Sequence, residues 1–248
     1  MEAASLSNDT VHVWDADLDS AASGHHGLAR SLPDEERTRA VRFHLAADRE
    51  RFLAARGVLR EILARYLNTT AACLRLRLGS SGKPFLLDHG HLRFNISHTG
   101  GTMLVAVARE REIGVDIERL DAHVATEELA ETTLSMPERR VLNRLRGESR
   151  RGAFLAFWTR KEALVKADGR GLSLQLPDID VSSPAGLVRL RGETTGGWTR
   201  STRWLLQTPA FDAAHVAAVA AERRDWHIAR RRWPEDLADT PSESQGDG

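Results

Sequence analysis

A chain of 248 residues is long for a single core and fits one large domain or two of ordinary size. With 41% hydrophobic and 28% charged residues it reads as a globular protein, and 35 Lys+Arg against 35 Asp+Glu leave no global field that would favour a nucleic-acid or membrane surface. One cysteine excludes an internal disulfide, no apolar run reaches the roughly 18 residues of a membrane helix, and residues 1–10 lack a signal peptide's basic and apolar regions, so the expected compartment is the cytoplasm.

In chain order, residues 11–14 alternate as a short strand, and Ser31-Leu32-Pro33-Asp34 reads as a helix start with Ser31 as its cap. Residues 48–67 carry the apolar stripe Phe52, Leu53, Leu59, Ile62, Leu63 and Tyr66, which predicts a long amphipathic helix closed by Asn68. Arg49, Arg51, Arg56, Arg60 and Arg65 crowd its other positions, and most of them are expected on a solvated face. Residues 73–78 alternate as a strand, which would bury Cys73 as inert packing. Residues 79–84 form a loop by composition; strands follow at 92–98, 103–108 and 113–118, with a turn at Thr99-Gly100-Gly101.

The second half repeats the plan. Ser135-Met136-Pro137-Glu138 has capping-box spacing, and Ser149 is expected to cap a helix from about 152 to 168 that ends at Gly169. Strands are predicted at 179–181, 187–191, 204–208 and 215–220, and the polar, acidic residues 234–248 as a disordered tail. Each half thus offers a long helix followed by antiparallel strands. This pattern predicts an α+β fold of two similar subdomains, residues 1–112 and 113–233, about a pseudo-twofold axis with the site in the cleft between them.

The candidate chemistry begins with Ile113-Gly114-Val115-Asp116-Ile117-Glu118. On a strand, residues two apart share a face, so Asp116 and Glu118 stand side by side while Val115 and Ile117 turn to the core. Adjacent carboxylates repel unless a cation sits between them, and magnesium takes oxygens from one or two carboxylates plus phosphates. A strand end emerging into solvent is the ordinary alternative. Spacing of four sets Trp158, Glu162 and Lys166 on one helix face; a solvated Glu–Lys pair is worth only ~0.3–0.5 kcal/mol, but the Trp in the same row argues against full solvation. In Phe94-Asn95-Ile96-Ser97-His98-Thr99 the adjacent Ser97 and His98 point to opposite faces and no G-x-S-x-G elbow is present, so His98 is better read as a phosphate contact than as a hydrolase base. The arginines, together with Gly82-Lys83-Pro84, offer further phosphate donors.

Taken in order, the Arg-rich helix, G-K-P, F-N-x-S-H-T, G-V-D-I-E and W-x-x-K-E-A-x-x-K resemble the 4′-phosphopantetheinyl transferase superfamily, in its large monomeric surfactin-synthetase-activating form. The resemblance runs from about residue 33 to 174. It implies Mg²⁺, or Mn²⁺ in its place, between the pyrophosphate of coenzyme A and Asp116, Glu118 and Glu162. It implies His98 and Lys166 on the coenzyme A phosphates, Lys83, Pro84 and Ser97 beside the nucleotide, and Arg51 near the 3′-phosphate, with Arg39 and Arg56 as further candidates and Lys161 as an orienting or structural residue.

The implied reaction is attack of a carrier-protein serine on the β-phosphate with release of 3′,5′-ADP. Its base would be Glu162, directly or through a water, or Glu138. The implied partners are coenzyme A and apo acyl- or peptidyl-carrier proteins, docking near residues 120–138, with no nucleic acid and no membrane; a monomer is implied. A non-catalytic coenzyme A- or carrier-binding protein of the same fold is the first alternative. A metal-dependent phosphoesterase or nuclease would use the same acids but leaves F-N-x-S-H-T and G-K-P unexplained.

Overall fold

Two sheets, antiparallel but for one parallel edge strand in the first, pack face to face, each with a long helix on its outer side; the computed structural model describes residues 6–24, 27–121, 126–171, 174–192, 197–222 and 225–238. β1 (Thr10–Asp17) leads through α1 (Leu18–Gly24) and α2 (Asp34–Ala40) to the long α3 (Ala46–Tyr66). A hairpin of β2 (Leu76–Leu78) and β3 (Pro84–Leu86) precedes β4 (Leu92–Thr99), β5 (Thr102–Arg109) and β6 (Ile113–Arg119). α4 (Thr126–Thr133) and α5 (Met136–Leu142) then lead to α6 (Gly147–Asp168). The chain closes with β7 (Ile179–Asp180), β8 (Leu187–Arg191), β9 (Trp198–Gln207), β10 (His215–Glu222), β11 (His227–Arg232) and α7 (Glu235–Ala238).

The sheet orders are β11-β1-β5-β4 and β6-β10-β9-β8-β7. Within them lies one repeated unit. A strand is followed by its long helix and later by two strands, which line up antiparallel as β1-β5-β4 in the first half and β6-β10-β9 in the second. The α+β architecture read from the sequence is therefore present, as a repeat of topology.

Period-two alternation sorts the cores. On β5, Met103, Val105 and Val107 face α3, while Leu104, Ala106 and Ala108 face the second sheet. On β6, Ile113, Val115 and Ile117 complete that central layer, which turns Gly114, Asp116 and Glu118 toward α6. Gly114 lets the helix lie directly on the strand: a Cβ there would meet the Ala163 carbonyl oxygen at 2.0 Å and the Ala167 nitrogen at 2.4 Å.

Several local expectations need correction. α2 begins after Pro33, which offers no side-chain cap, and Ser31 instead closes a 3-10 turn by donating to the Leu28 carbonyl at 2.8 Å. α6 starts at Gly147, whose φ of 53° turns the chain, so Ser149 lies inside the helix rather than capping it. The Ser135 capping box is present, with Glu138 Oε2 accepting from the Ser135 amide at 2.8 Å. Cys73 is exposed in a 3-10 turn, because β2 finds its partner β3 only from Leu76 onward.

In the segment read as a tail, residues 235–238 form a helical turn and Asp236 accepts the Arg232 amide at 2.6 Å; residues 239–248 lie outside the described residues. β11 was not expected, since His227-Ile228-Ala229-Arg230-Arg231-Arg232 lacks an alternating pattern. It returns from the second half to pair in parallel with β1, so the division at 112/113 separates the two sheets apart from this strand.

Candidate active site

β4 and β6 are edge strands of different sheets, and they meet through side chains instead of a ladder. Asn95 Oδ1 accepts from the Val115 amide at 3.0 Å, and Ser97 Oγ donates to Asp116 Oδ1 at 2.8 Å. The first contact satisfies the Val115 N–H on the free edge of β6, and the second ties the two strands side chain to side chain. The join also fixes Asp116 under the helix face that carries Trp158, Glu162 and Lys166.

Lys166 Nζ donates to Asp116 Oδ1 at 2.6 Å and to Ser97 Oγ at 3.0 Å, and the Trp158 indole N–H donates to Glu118 at 3.3 Å. Asp116 Oδ2 is buried without a partner. Burial pushes the Asp116 carboxyl up despite the Lys166 charge that draws it down. Glu118 is raised first by burial and then by Asp116; Glu162 is raised by burial, then by Asp116, with Glu118 adding to it. Three acids thus share one ammonium in a partly dry place. An orphaned buried carboxylate oxygen beside mutually repelling acids is the donor set a hard divalent cation fits. Among the described residues, however, no three His, Cys, Asp or Glu side chains are already arranged to hold an ion. An ion bound here would complete its shell from a phosphate or water, in competition with Lys166 for Asp116.

A cavity of about 770 Å³ opens beside this cluster. Arg39, Arg51, Arg56, Lys83, Pro84, His98 and Lys166 line it, so residues from both halves meet here. Ser97 stands behind the wall, bonded to Asp116 and Lys166. Burial, and secondarily the Lys166 charge, hold the His98 imidazole below its ordinary pKa of 6.5, so at pH 7 it offers a hydrogen bond rather than a charge.

The basic residues differ in what already holds them. Arg39 lies 5.6 Å over the Phe52 ring. Arg51 makes a two-pronged ion pair with Asp19, at 2.6 and 3.0 Å, and Arg56 meets Glu36 at 2.9 and 2.5 Å. Arg60, expected on a solvated face, is buried: it shares Glu36 and donates to the Ala71 and Leu74 carbonyls, tying α3 to the loop after it. The Lys83 ammonium binds Glu112 at 2.9 Å and the Ile113 and Ala167 carbonyls at 3.0 and 3.3 Å, so it pins the β2–β3 hairpin to the start of β6 and the end of α6.

Glu138 is not at this site. It is fully buried in the second half, 3.0 Å from the Lys161 ammonium, and accepts from the Val181 and Ser135 amides at 2.8 Å each. A carboxylate with both oxygens committed and no path to the cavity cannot take a proton from a substrate there. Lys161, also fully buried, donates to the Leu176 and Ile179 carbonyls, in keeping with a structural role. Asp19, Asn95 and Glu36 escaped the sequence reading. Asn95 had a signal, its place in F-N-x-S-H-T; Asp19 and Glu36 had none, since their partners lie 32, 20 and 24 residues away.

Comparison with known proteins adds a family to this geometry. Residues 112–228 match the 4′-phosphopantetheinyl transferase superfamily, and residues 19–111 match the 4′-phosphopantetheinyl transferase N-terminal family. The chain is 36% identical over 225 residues to the 4′-phosphopantetheinyl transferase HetI of Nostoc sp. (strain PCC 7120), covering 89% of this chain and 91% of that one. It is 36% identical over 198 residues to the putative 4′-phosphopantetheinyl transferase slr0495 of Synechocystis sp. (strain PCC 6803), covering 78% and 80%. Among solved structures, the holo-[acyl-carrier-protein] synthase of Thermotoga maritima matches with a TM-score of 0.36 and 22% identity, over 46% of this chain and 64% of that one. The two family matches meet at residues 111 and 112, where β5 gives way to β6, and the chain belongs to the 4′-phosphopantetheinyl transferase superfamily.

Proposed function

We propose that this chain transfers the 4′-phosphopantetheine group of coenzyme A to a serine of an apo acyl- or peptidyl-carrier protein, releasing 3′,5′-ADP, as a monomer of the surfactin-synthetase-activating type. The observation that carries the reading is the cluster of Asp116, Glu118, Glu162 and Lys166 at the edge of a cavity lined with arginines and lysines from both halves. In the step itself the serine oxygen bonds to the β-phosphorus, the bond from that phosphorus to the bridging oxygen of 3′,5′-ADP breaks, and the serine proton passes to a base.

Asp116, Glu118 and Glu162 would hold Mg²⁺, or Mn²⁺ in its place, which when bound supplies charge neutralisation on the pyrophosphate. Lys166, which lines the cavity 2.6 Å from Asp116, would add a second fixed positive charge there. His98, which lines the cavity, donates a hydrogen bond to a phosphate oxygen. Arg51 takes the 3′-phosphate, with Arg39 and Arg56 beside it, and Lys83, Pro84 and Ser97 hold the surrounding walls in place. Glu162 is the remaining candidate base, directly or through a water.

The carrier docks along α4 and α5, where Met136 and Val141 are exposed; residues 122–125 of the expected docking segment lie outside the described residues. No nucleic-acid or membrane partner is part of the reading. Among the described residues no helix is long and apolar enough to cross a membrane, and the cytoplasm is the proposed location.

The test is the intact mass of an apo carrier domain incubated with the protein, coenzyme A and Mg²⁺. A gain of one phosphopantetheine unit is expected, lost with ethylenediaminetetraacetate and in Asp116→Ala. Coenzyme A binding without transfer to any carrier class would favour a binding protein. Failure to bind coenzyme A would overturn the reading.

A further inference from the structure

We propose that Asp19 is a positioning residue that sets the preference for a 3′-phosphorylated nucleotide by holding Arg51, an inference that rests on reading Arg51 as the 3′-phosphate contact. Asp19 lies in the first turn of α1, and that turn is anchored twice. Asp17 Oδ1 accepts from the Asp19 and Ser20 amides at 2.9 and 3.1 Å, and the Leu18 amide donates to the Gly101 carbonyl at 2.7 Å. The carboxylate is pressed against the β4–β5 turn, where a Cβ on Gly101 would come within 2.5 Å of Asp19 Oδ2. A side chain at 101 would have to push the carboxylate aside.

From that fixed place Asp19 accepts from Nε and Nη2 of Arg51, at 2.6 and 3.0 Å. A two-pronged pair fixes the plane of a guanidinium, which a single contact or a lysine ammonium would not do. It spends one edge of the fork and leaves the Nη1 end for an anion. Arg51 lines the 770 Å³ cavity, whereas Asp19 lines a neighbouring one of about 670 Å³. Asp19 therefore reaches Arg51 from behind and does not itself meet the phosphate.

A competing carboxylate makes the device necessary. Asp48, three residues earlier on α3, lines the same cavity and also attracts Arg51. Without Asp19, Arg51 turns along its own helix to Asp48, and the donor edge leaves the position where the 3′-phosphate is bound.

The experiment measures calorimetric dissociation constants of the full chain for coenzyme A and for dephospho-coenzyme A, which lacks only the 3′-phosphate, with melting temperatures as a folding control. The wild type is expected to prefer coenzyme A. Asp19→Ala should cut that preference by about tenfold through weaker coenzyme A binding alone, the size of one charge-assisted contact. The Asp19→Ala/Asp48→Ala double variant should regain part of the loss, and Asp19→Asn serves if the alanine variant does not fold. The proposal is overturned if Asp19→Ala keeps the wild-type ratio or raises it while Arg51→Ala lowers it. Equal weakening of both ligands, the mark of a merely structural role, also overturns it. If Arg51→Ala leaves the ratio unchanged while coenzyme A still binds, the assignment of Arg51 falls and takes the proposal with it, and the transferase reading stands.

Discussion

Lys161 and Lys166 sit on one helix, each within hydrogen-bond reach of a carboxylate, yet their surroundings differ in kind. Lys161 and Glu138 are both fully buried, 3.0 Å apart, and every remaining oxygen or ammonium contact is filled by backbone. Lys166 keeps 28% of its side chain exposed, and its partner Asp116 has one oxygen bonded and the other orphaned, with two more acids nearby. The first pair is closed, and its charges balance within it. The second is open, with more negative charge than the protein itself neutralises. The lesson is that a buried ion pair marks a site only when its hydrogen bonding is incomplete and its charge is unbalanced.

Breaking the closed pair should cost the most stability. Lys161→Met leaves Glu138 as an uncompensated buried charge, and the unfolding free energy from urea titration should fall by about 3–5 kcal/mol. Breaking the open cluster should reverse the pattern. Glu162→Gln removes one of three repelling acids, so the urea midpoint should hold or rise, while the transfer rate, followed by carrier mass, falls by about 10²–10³-fold. A rate loss matched by an equal stability loss would mean the two clusters are not different in kind. The smallest change sharpens the same contrast. Ser97→Ala deletes the hydroxyl that joins Lys166 to Asp116 and should cost about 1 kcal/mol of stability and a severalfold loss in rate, because the ion pair itself remains.

Much of this was legible because it depends on short-range geometry. Period two placed Asp116 and Glu118 on one face, and spacing of four placed Trp158, Glu162 and Lys166 on another; the two faces now meet. Glu138 was misread although its signal was present: a Glu three residues after a capping Ser is already committed to that cap. Cys73 was misread because an alternation of six residues does not reveal whether a partner strand runs alongside it. Asp19 and β11 were out of reach for a different reason, since each is defined by residues far away in the chain. Arg60 shows the same limit in reverse, as its place in a run of arginines hid a buried tie.

The pairing of β11 with β1 has a consequence for how the protein comes to exist. β1 begins at Thr10 and its outer neighbour begins only at His227, so a ribosome must make every other strand before the first sheet can gain its edge. Until then one flank of β1 exposes unpaired backbone, and the earliest-made sheet is the last to be completed. A nascent chain stalled between β6 and β10 would hold the Arg-lined wall of the cavity but lack its finished frame. Synthesis from one end to the other therefore delays the assembled site until both halves are available.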